Sequence, residues 1–386
     1  MTISENIEFI ESGSAVAALS ALISDLKKSD YIALDTEFTR VKSYYPLFDL
    51  LQLQIGPKSY IVDPLACDLT PLFKALNTTE ALVLMFSCRE DLEVIYRYCK
   101  SHDVKPALPR RIADIQILQA FLNISFTQGL QSSLLERLGI DLDKSETLSD
   151  WSARPLSDAQ LSYAANDVIY LEALYKACLN TVACDDIRLK WFFRQMEETL
   201  EEAQIEIEPE LIYMYIQGAG SLTAKQLKTL YYISTKREIF ARSHNIALGR
   251  ICSNKCLVQV AVATPLTFQG LASCKLKWGA IRQHGNTLIG WVKEALSHDE
   301  YEILKQPLDF VVNTKEGSDE ARRLKFILDT KARAHSIRPE LLLQKSYVYE
   351  YLYDLRKPQI LARVHLKGSW RQECVGIIEA KALKKD

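Results

Sequence analysis

Residues 31–38, YIALDTEF, decide the fold of the first half of the chain. The stretch begins with four apolar or aromatic residues, which is typical of a buried β-strand, and it ends in acids. Side chains two positions apart on a strand point to the same face, so Asp35 and Glu37 should meet at one site. Two such carboxylates repel each other unless a cation lies between them. The stretch predicts a strand end that binds a divalent ion, although a D-x-E alone is more often a pair of surface acids.

Apolar runs after this strand predict further strands. Two of them flank the turn Gly56-Pro57-Lys58 and form a predicted hairpin. Helical periodicity dominates from about residue 113 onward. The elements are the strands 50–56, 59–65 and 81–86 and the helices 14–27, 91–98 and 157–177. Strands followed by alternating strands and helices favour the α/β class, with a mixed sheet covered by helices.

The composition bounds the class of protein. A chain of 386 residues should form two or three domains, and 48% hydrophobic with 25% charged residues excludes wholesale disorder. No apolar run approaches the ~20 residues that cross a bilayer, and the first residues lack the pattern of a signal peptide. The nine cysteines include no C-x-x-C pair, which indicates reduced thiols. We therefore expect a cytoplasmic protein without a membrane segment.

The charge is unevenly distributed. Residues 1–190 contain 26 acidic and 18 basic residues, whereas residues 191–386 contain 23 and 29. Within 211–293, eleven Lys and Arg stand against Glu238 alone. This pattern suits a metal-using enzyme joined to a module that binds polyanions, and the alternative is a solvated surface that happens to be basic.

Two further acids extend the strand-end pair. Asp91 follows the strand 81–86 at the start of a predicted helix, where acids are also common for electrostatic reasons alone. Asp167 lies four residues after Tyr163, so the carboxylate and the phenol share one helical face. Taken alone, that pair would be an exposed Asp beside a core Tyr.

Together the acids match a known pattern. D-x-E, a later Asp and Y-x-x-x-D resemble the tyrosine-bearing branch of the DEDD exonuclease superfamily. The surrounding sequence resembles the ribonuclease D family at all three exonuclease motifs, in LDTEFTRVKSYYPLFDLLQLQIG, SCREDLEV and SDWSARPLSDAQLSYAANDVIYL. The resemblance covers residues 30–175. One departure is Phe86, which stands where many members carry a His.

The resemblance implies a fold and a chemistry. The fold would be ribonuclease H-like, with a mixed five-stranded sheet flanked by helices. Two Mg²⁺ or Mn²⁺ ions would be held by Asp35, Glu37, Asp91 and Asp167, and Tyr163 would orient the attacking water. Such a site would release 5′-mononucleotides from RNA 3′ ends. No organic cofactor and no obligate protein partner is implied.

The second half resembles, more faintly, the helicase-and-RNase-D C-terminal (HRDC) domain, a small helical bundle that assists nucleic-acid binding. The likeness lies in KQLKTLYYISTKREIFARSHNIALGRICSNKCLVQVA. The predicted domains are an exonuclease at 1–180, a helical linker at 181–220, a first HRDC domain at 221–299 and a diverged second one at 317–384. Candidate phosphate contacts are Lys236, Arg237, Arg242, Arg250 and Lys255.

Aromatic residues near the first motif are further candidates. Tyr44 and Tyr45 could stack on bases, and packing under a loop is about as common. Phe38 could cover the terminal base or belong to the core.

Three hypotheses follow. The first is an exonuclease that trims RNA, with transfer-RNA precursors as the implied substrate class. The second is a DNA exonuclease of the same superfamily, and the third is an RNA-binding scaffold without catalysis. Because all four acids and Tyr163 are intact, we favour an enzyme.

Overall fold

The chain forms two compact units. The computed structural model describes residues 7–11, 15–142, 146, 149–297, 305–378 and 380–384. The first unit consists of Met1–Thr39, Pro46–Ile205 and Arg333–Leu341, and the second of Arg40–Tyr45, Glu206–Ala332 and Leu342–Asp386. The predicted division into four segments at residues 180, 220, 299 and 317 stays a prediction.

A mixed sheet forms the centre of the first unit. Its described strands are β1 (Ile7–Ile10), β2 (Tyr31–Thr39), β3 (Leu47–Ile55), β4 (Lys58–Val62), β5 (Leu82–Met85) and β6 (Ile112–Asp114). They lie in the order β1-β4-β3-β2-β5-β6. Strands β2, β3 and β4 pair antiparallel, and the remaining pairs are parallel. The α/β class with a mixed sheet is confirmed, but the implied count of five strands is wrong, because β1 adds a sixth at the edge beside β4.

Strand β2 is buried directly before the acids that it carries. Ile32, Ala33 and Leu34 are consecutive and all buried, so the strand is covered on both faces. The register with β3 shifts directly after Glu37. Irregularities of this kind often lie beside active sites, where they change the direction of side chains.

Helices cover both sides of the sheet. Those of the first unit are α1 (Ala15–Leu26), α2 (Thr70–Leu76), α3 (Arg89–Ser101), α4 (Ile115–Phe121), α5 (Leu130–Leu138), α6 (Asp158–Ile169), α7 (Leu171–Leu179) and α8 (Ile187–Glu202). The single helix predicted at 157–177 is divided at Tyr170 into α6 and α7. Ser157 caps α6 as expected, in a reciprocal pair with Gln160. Helix α8, predicted as part of a linker, packs on α4 and β6.

Helix α6 and the segment before it are both held against the sheet. Ala164 and Ala165 pack with Leu50 and Ile61 in one buried cluster. Just before the helix, the Arg154 guanidinium donates to both carboxylate oxygens of Asp63, at 2.6 and 2.9 Å. Burial would raise the pKa of the Asp63 carboxyl, but the hydrogen bonds from Arg154 and the Leu65 backbone hold it below its usual range.

In the described part of the second unit, all regular secondary structure is helical. Its helices are α9 (Ala224–His244), α10 (Leu248–Ile251), α11 (Asn254–Ala263), α12 (Phe268–Ser273), α13 (Trp278–Ser297), α14 (Lys315–Ala334), α15 (Lys345–Arg356) and α16 (Ser369–Val375). Short 3₁₀ turns accompany them, with Pro209–Tyr215 before α9 and Leu308–Val312 between α13 and α14. Helix α9 begins at a Thr223 cap and packs against α11 and α13. Among the described residues, no helix is both long and apolar enough to cross a bilayer.

Replacing Arg154 by Ala should lower the free energy of unfolding by about 3 kcal/mol, because Asp63 would stay buried without its partner. The comparison is Arg110→Ala, which removes an exposed pair with Glu80. That change should cost less than about 1 kcal/mol. Urea unfolding followed by circular dichroism measures both. Equal losses in the two variants would show that the Arg154–Asp63 pair does not fasten α6.

Candidate active site

Three carboxylates converge beside the end of β2. Asp35 and Glu37 project from one face of the strand, and Asp167 reaches them from α6. One oxygen of each lies within 4.8 Å of one oxygen of each of the others. The spacing of two on a strand therefore produced the shared face that the sequence predicted.

The fourth acid is held by the residue between the strand pair. Asp91 lies in the first turn of α3, and its Oδ1 accepts hydrogen bonds from the Thr36 backbone N–H at 3.2 Å and the Thr36 hydroxyl at 2.5 Å. All three groups are buried. Thr36 thus attaches the start of α3 to the strand that carries Asp35 and Glu37.

A fifth acid shapes the turn that leads to α3. One oxygen of Asp114, at the end of β6, accepts the Ser87 N–H at 3.0 Å, and the other accepts the Cys88 N–H at 2.9 Å. Asp114 also caps α4. Ser87 has φ of +63°, a left-handed conformation that is uncommon outside glycine. Sequence reasoning missed Asp114, whose only signal was an acid between a short apolar strand and a helix.

The acids of β2, α3 and α6 line a cavity of about 300 Å³, and Glu90 of α3 contributes a further carboxylate to its wall. All five predicted catalytic residues contribute to its wall, and so do Thr36, Phe38 and Phe86. Tyr163 lies one helical turn before Asp167 on α6, and its ring centroid is 6.0 Å from that of Trp151. Phe86 presents an apolar ring where many family members have an imidazole, so it offers no hydrogen bond to the strand end.

Burial and mutual repulsion make these carboxyls weak acids. Burial, followed by the charges of Asp91, Asp167 and Glu37, raises the pKa of Asp35 well above its usual value. Burial and neighbouring acids raise the pKa of Glu37 to about 8. Burial raises the pKa of Asp167 to about 7 and that of Asp91 to about 6. A divalent cation would remove the repulsion, and carboxylate oxygens are the ligands that hard cations prefer.

The aromatic candidates have different environments. Phe38 lines the cavity, as a residue covering a terminal base would. Tyr44 belongs to the second unit, where its hydroxyl donates to Glu238 of α9 and accepts from Arg242 at 3.2 Å. Burial, together with Glu238, raises the pKa of Tyr44 to about 12. For Tyr44 the packing alternative therefore describes the contacts, whereas base stacking by Tyr45 stays a prediction.

The five basic candidates divide into two groups. Arg237 is fully buried, and its guanidinium donates to the Cys252 carbonyl at 2.6 Å and to Asn254 at 2.8 Å. Its predicted role as a phosphate contact is wrong, because the charge is used inside the bundle. Arg242 pairs with Glu238 at 3.0 Å.

The other three basic candidates lie nearer to solvent. Lys236 lies 3.4 Å from the carboxylate of Glu294, so its charge is partly neutralised. Arg250 and Lys255 are exposed, and their role as phosphate contacts stays a prediction.

The site combines two acids at a strand end, an acid at the start of a helix, and a Tyr-Asp pair on another helix, all around one cavity. On a mixed sheet, this combination defines a 3′-5′ exonuclease of the DEDD class. A family model described as a 3′-5′ exonuclease matches residues 12–183.

Similarity to known proteins extends over nearly the whole chain. A ribonuclease D of Shewanella sp. (strain ANA-3) is 30% identical over 351 residues, covering 90% of this chain and 87% of the relative. The ribonuclease D of Escherichia coli is 31% identical over 367 residues, covering 92% and 93%. The crystal structure of E. coli RNase D, described as an exoribonuclease involved in structured RNA processing, matches with a TM-score of 0.82 at 30% identity, over 98% of this chain and 97% of that one.

The chain therefore belongs to the ribonuclease D family. The predicted enzyme class, a 3′-5′ exoribonuclease, is confirmed.

Replacing Thr36 by Val should lower kcat for nucleotide release about tenfold or more, because Asp91 would lose a hydrogen bond to a charged group. Thr36→Ser keeps the hydroxyl and should retain most of the activity. Steady-state kinetics on a labelled RNA with Mg²⁺ measures both variants, and thermal melting checks that they are folded. A Val variant with normal kcat would show that Thr36 does not position Asp91.

Proposed function

We propose that this chain hydrolyses RNA from the 3′ end with two Mg²⁺ or Mn²⁺ ions and releases 5′-mononucleotides. The observation that carries the proposal is the convergence of Asp35, Glu37 and Asp167, with oxygens within 4.8 Å of one another. Asp91 enters the same cavity from α3.

The donor set fits divalent ions of this kind. All four candidate ligands are carboxylates, which Mg²⁺ and Mn²⁺ prefer over nitrogen or sulfur ligands. When bound, such ions supply Lewis-acid stabilisation of the entering and leaving oxygens and lower the pKa of water. The raised pKa values of Glu37 and Asp167 also fit a site designed for positive charge.

The protein's own groups have separate tasks in this proposal. Asp35, Glu37 and Asp167 would hold the cations, and Asp91 would support them from α3. Tyr163 orients the attacking water through its hydroxyl, since it shares a helical face and the cavity wall with Asp167. Thr36 positions the Asp91 carboxylate beside β2 through the two hydrogen bonds that it donates.

Several findings support RNA as the substrate. Relatives covering about nine tenths of the chain are named ribonuclease D, and one is described as acting in structured RNA processing. The second unit includes the strongly basic stretch 211–293. We infer transfer-RNA precursors as the substrate class and the cytoplasm as the location. The nine free cysteines agree with a reducing compartment.

Asp35→Ala and Asp167→Asn should each reduce nucleotide release from a 3′-extended tRNA by at least about 10²-fold, because metal stabilisation is worth several kcal/mol. Binding of the same RNA should change little. Asp158→Asn is the matched control, since Asp158 is an exposed acid on the same helix. Labelled RNA is digested with Mg²⁺, with Mn²⁺ or with a chelator, and product lengths are resolved on gels.

The wild-type enzyme should stop near the mature tRNA end and should be inactive with the chelator. Normal trimming by the Asp35 variant would contradict the site assignment. Digestion through the body of the tRNA would contradict the processing role and leave the nuclease assignment intact.

A further inference from the structure

Helix α13 begins with an exposed tryptophan. Trp278 is 52% exposed, although tryptophan is mostly buried in folded proteins. Arg282 is exposed one helical turn later, on the same face. Lys275 and Lys277 directly precede the helix and are exposed as well. An aromatic ring among three cations can bind a polyanion that has flat rings of its own.

The beginning of a second helix adjoins this one. The Cys256 Sγ, in the first turn of α11, lies 3.3 Å from the Lys275 carbonyl oxygen. Lys255 precedes Cys256 and is exposed. The amino-terminal end of a helix carries partial positive charge, so α11 adds to the positive potential here.

Arg250 brings another cation to the same end of α13. It is exposed on α10, which packs against α13. Burial, followed by the charge of Arg250, lowers the pKa of His284 on α13. Arg250 therefore lies close to His284, in the second turn of α13. His284 itself is buried, so the cationic groups exposed here are the Lys and Arg residues.

The sequence around this cluster lacks acidic residues. Residues 239–293 contain no Asp and no Glu. Within the described part of the chain, none of these five Lys and Arg side chains forms an ion pair. This distinguishes them from Lys236 and Arg242, which face Glu294 and Glu238. We call the set Arg250, Lys255, Lys275, Lys277, Trp278 and Arg282 the α13 surface.

We propose that the α13 surface binds single-stranded RNA, with Trp278 stacked on a base and the cations in contact with phosphates. The proposal rests on the proposed function, which makes RNA the substrate of this chain. A single strand fits better than a duplex, because a duplex keeps the faces of its bases stacked inside and offers none to Trp278.

The first test is the affinity of the full-length protein for a labelled single-stranded RNA in the presence of a chelator. Trp278→Ala should weaken binding by about 5- to 100-fold, the usual effect of losing one stacked base. Phe326→Ala is the matched control, since Phe326 is an aromatic residue of α14 that is 74% exposed. Its affinity should equal that of the wild type.

The second test measures the cations separately from the ring. In Lys275→Gln/Lys277→Gln, the slope of log Kd against log salt should fall by about 1.4, because each single-strand phosphate contact contributes about 0.7. Lys293→Gln, which removes an exposed charge near the other end of α13, should leave the slope unchanged. Wild-type affinity in the Trp278 variant, or a wild-type slope in the double variant, would overturn the proposal.

Failure of this proposal can be told apart from failure of the nuclease. With saturating RNA and Mg²⁺, Trp278→Ala should keep kcat within about twofold and show a raised KM, because it removes binding and leaves the carboxylates intact. A wild-type protein that binds RNA through Trp278 but releases no nucleotides would refute only the nuclease function. A protein that trims RNA with an unchanged KM in the Trp278 variant would refute only the α13 surface.

Discussion

Carboxylates repel one another when they are brought together away from water, and the candidate metal ligands Asp35, Glu37, Asp91 and Asp167 all line one cavity of the first unit. The repulsion is visible in the raised pKa values, which reach about 8 for Glu37. Without a cation, the folded state binds more protons than the unfolded chain between the ordinary carboxyl pKa and about 8. The stability of the metal-free protein should therefore fall as the pH rises through that window. Such a destabilising cluster of acids is expected where a bound ligand supplies the compensating positive charge.

The surrounding structure supplies the means to hold these groups together. Strand β2 is enclosed on both faces, so it provides a rigid base for Asp35 and Glu37. Thr36 fastens α3 to that base through Asp91, and Asp114 shapes the turn before α3. Both contacts are buried or partly buried. The first orients the Asp91 carboxylate, and the second orients the backbone of the turn at Ser87.

Much of the site could be predicted from the sequence, because its determinants are local. Alternation along β2 placed two acids on one face, and a spacing of four joined Tyr163 to Asp167. Resemblance to a family added Asp91, whose own neighbourhood is ambiguous. These assignments depend on periodicity and motif text, and neither requires knowledge of distant partners.

Features set by distant contacts could not be predicted in the same way. Strand β1 is four residues long and is defined by its pairing with β4. In the sequence, Arg237 cannot be distinguished from an exposed cation. Its burial depends on hydrogen bonds to Asn254 and to the Cys252 carbonyl, which only the folded structure brings together. Trp278 is the reverse case. From its residue type alone it would be assigned to a core, but it is exposed in the structure.

The central claim is that the carboxylates form a divalent metal centre, and proton-linked metal binding tests it most directly. Metal ligands must be ionised, so an ion that enters a site with pKa values of about 7 and 8 should displace protons at pH 6.5. At pH 8.5 most of those protons are already gone. Calorimetric titration of the metal-free full-length protein with Mn²⁺, in two buffers of different protonation enthalpy, measures this release. The account predicts two bound ions, with protons released at pH 6.5 and far fewer at pH 8.5. Absence of Mn²⁺ binding, or identical heats in both buffers at pH 6.5, would contradict it.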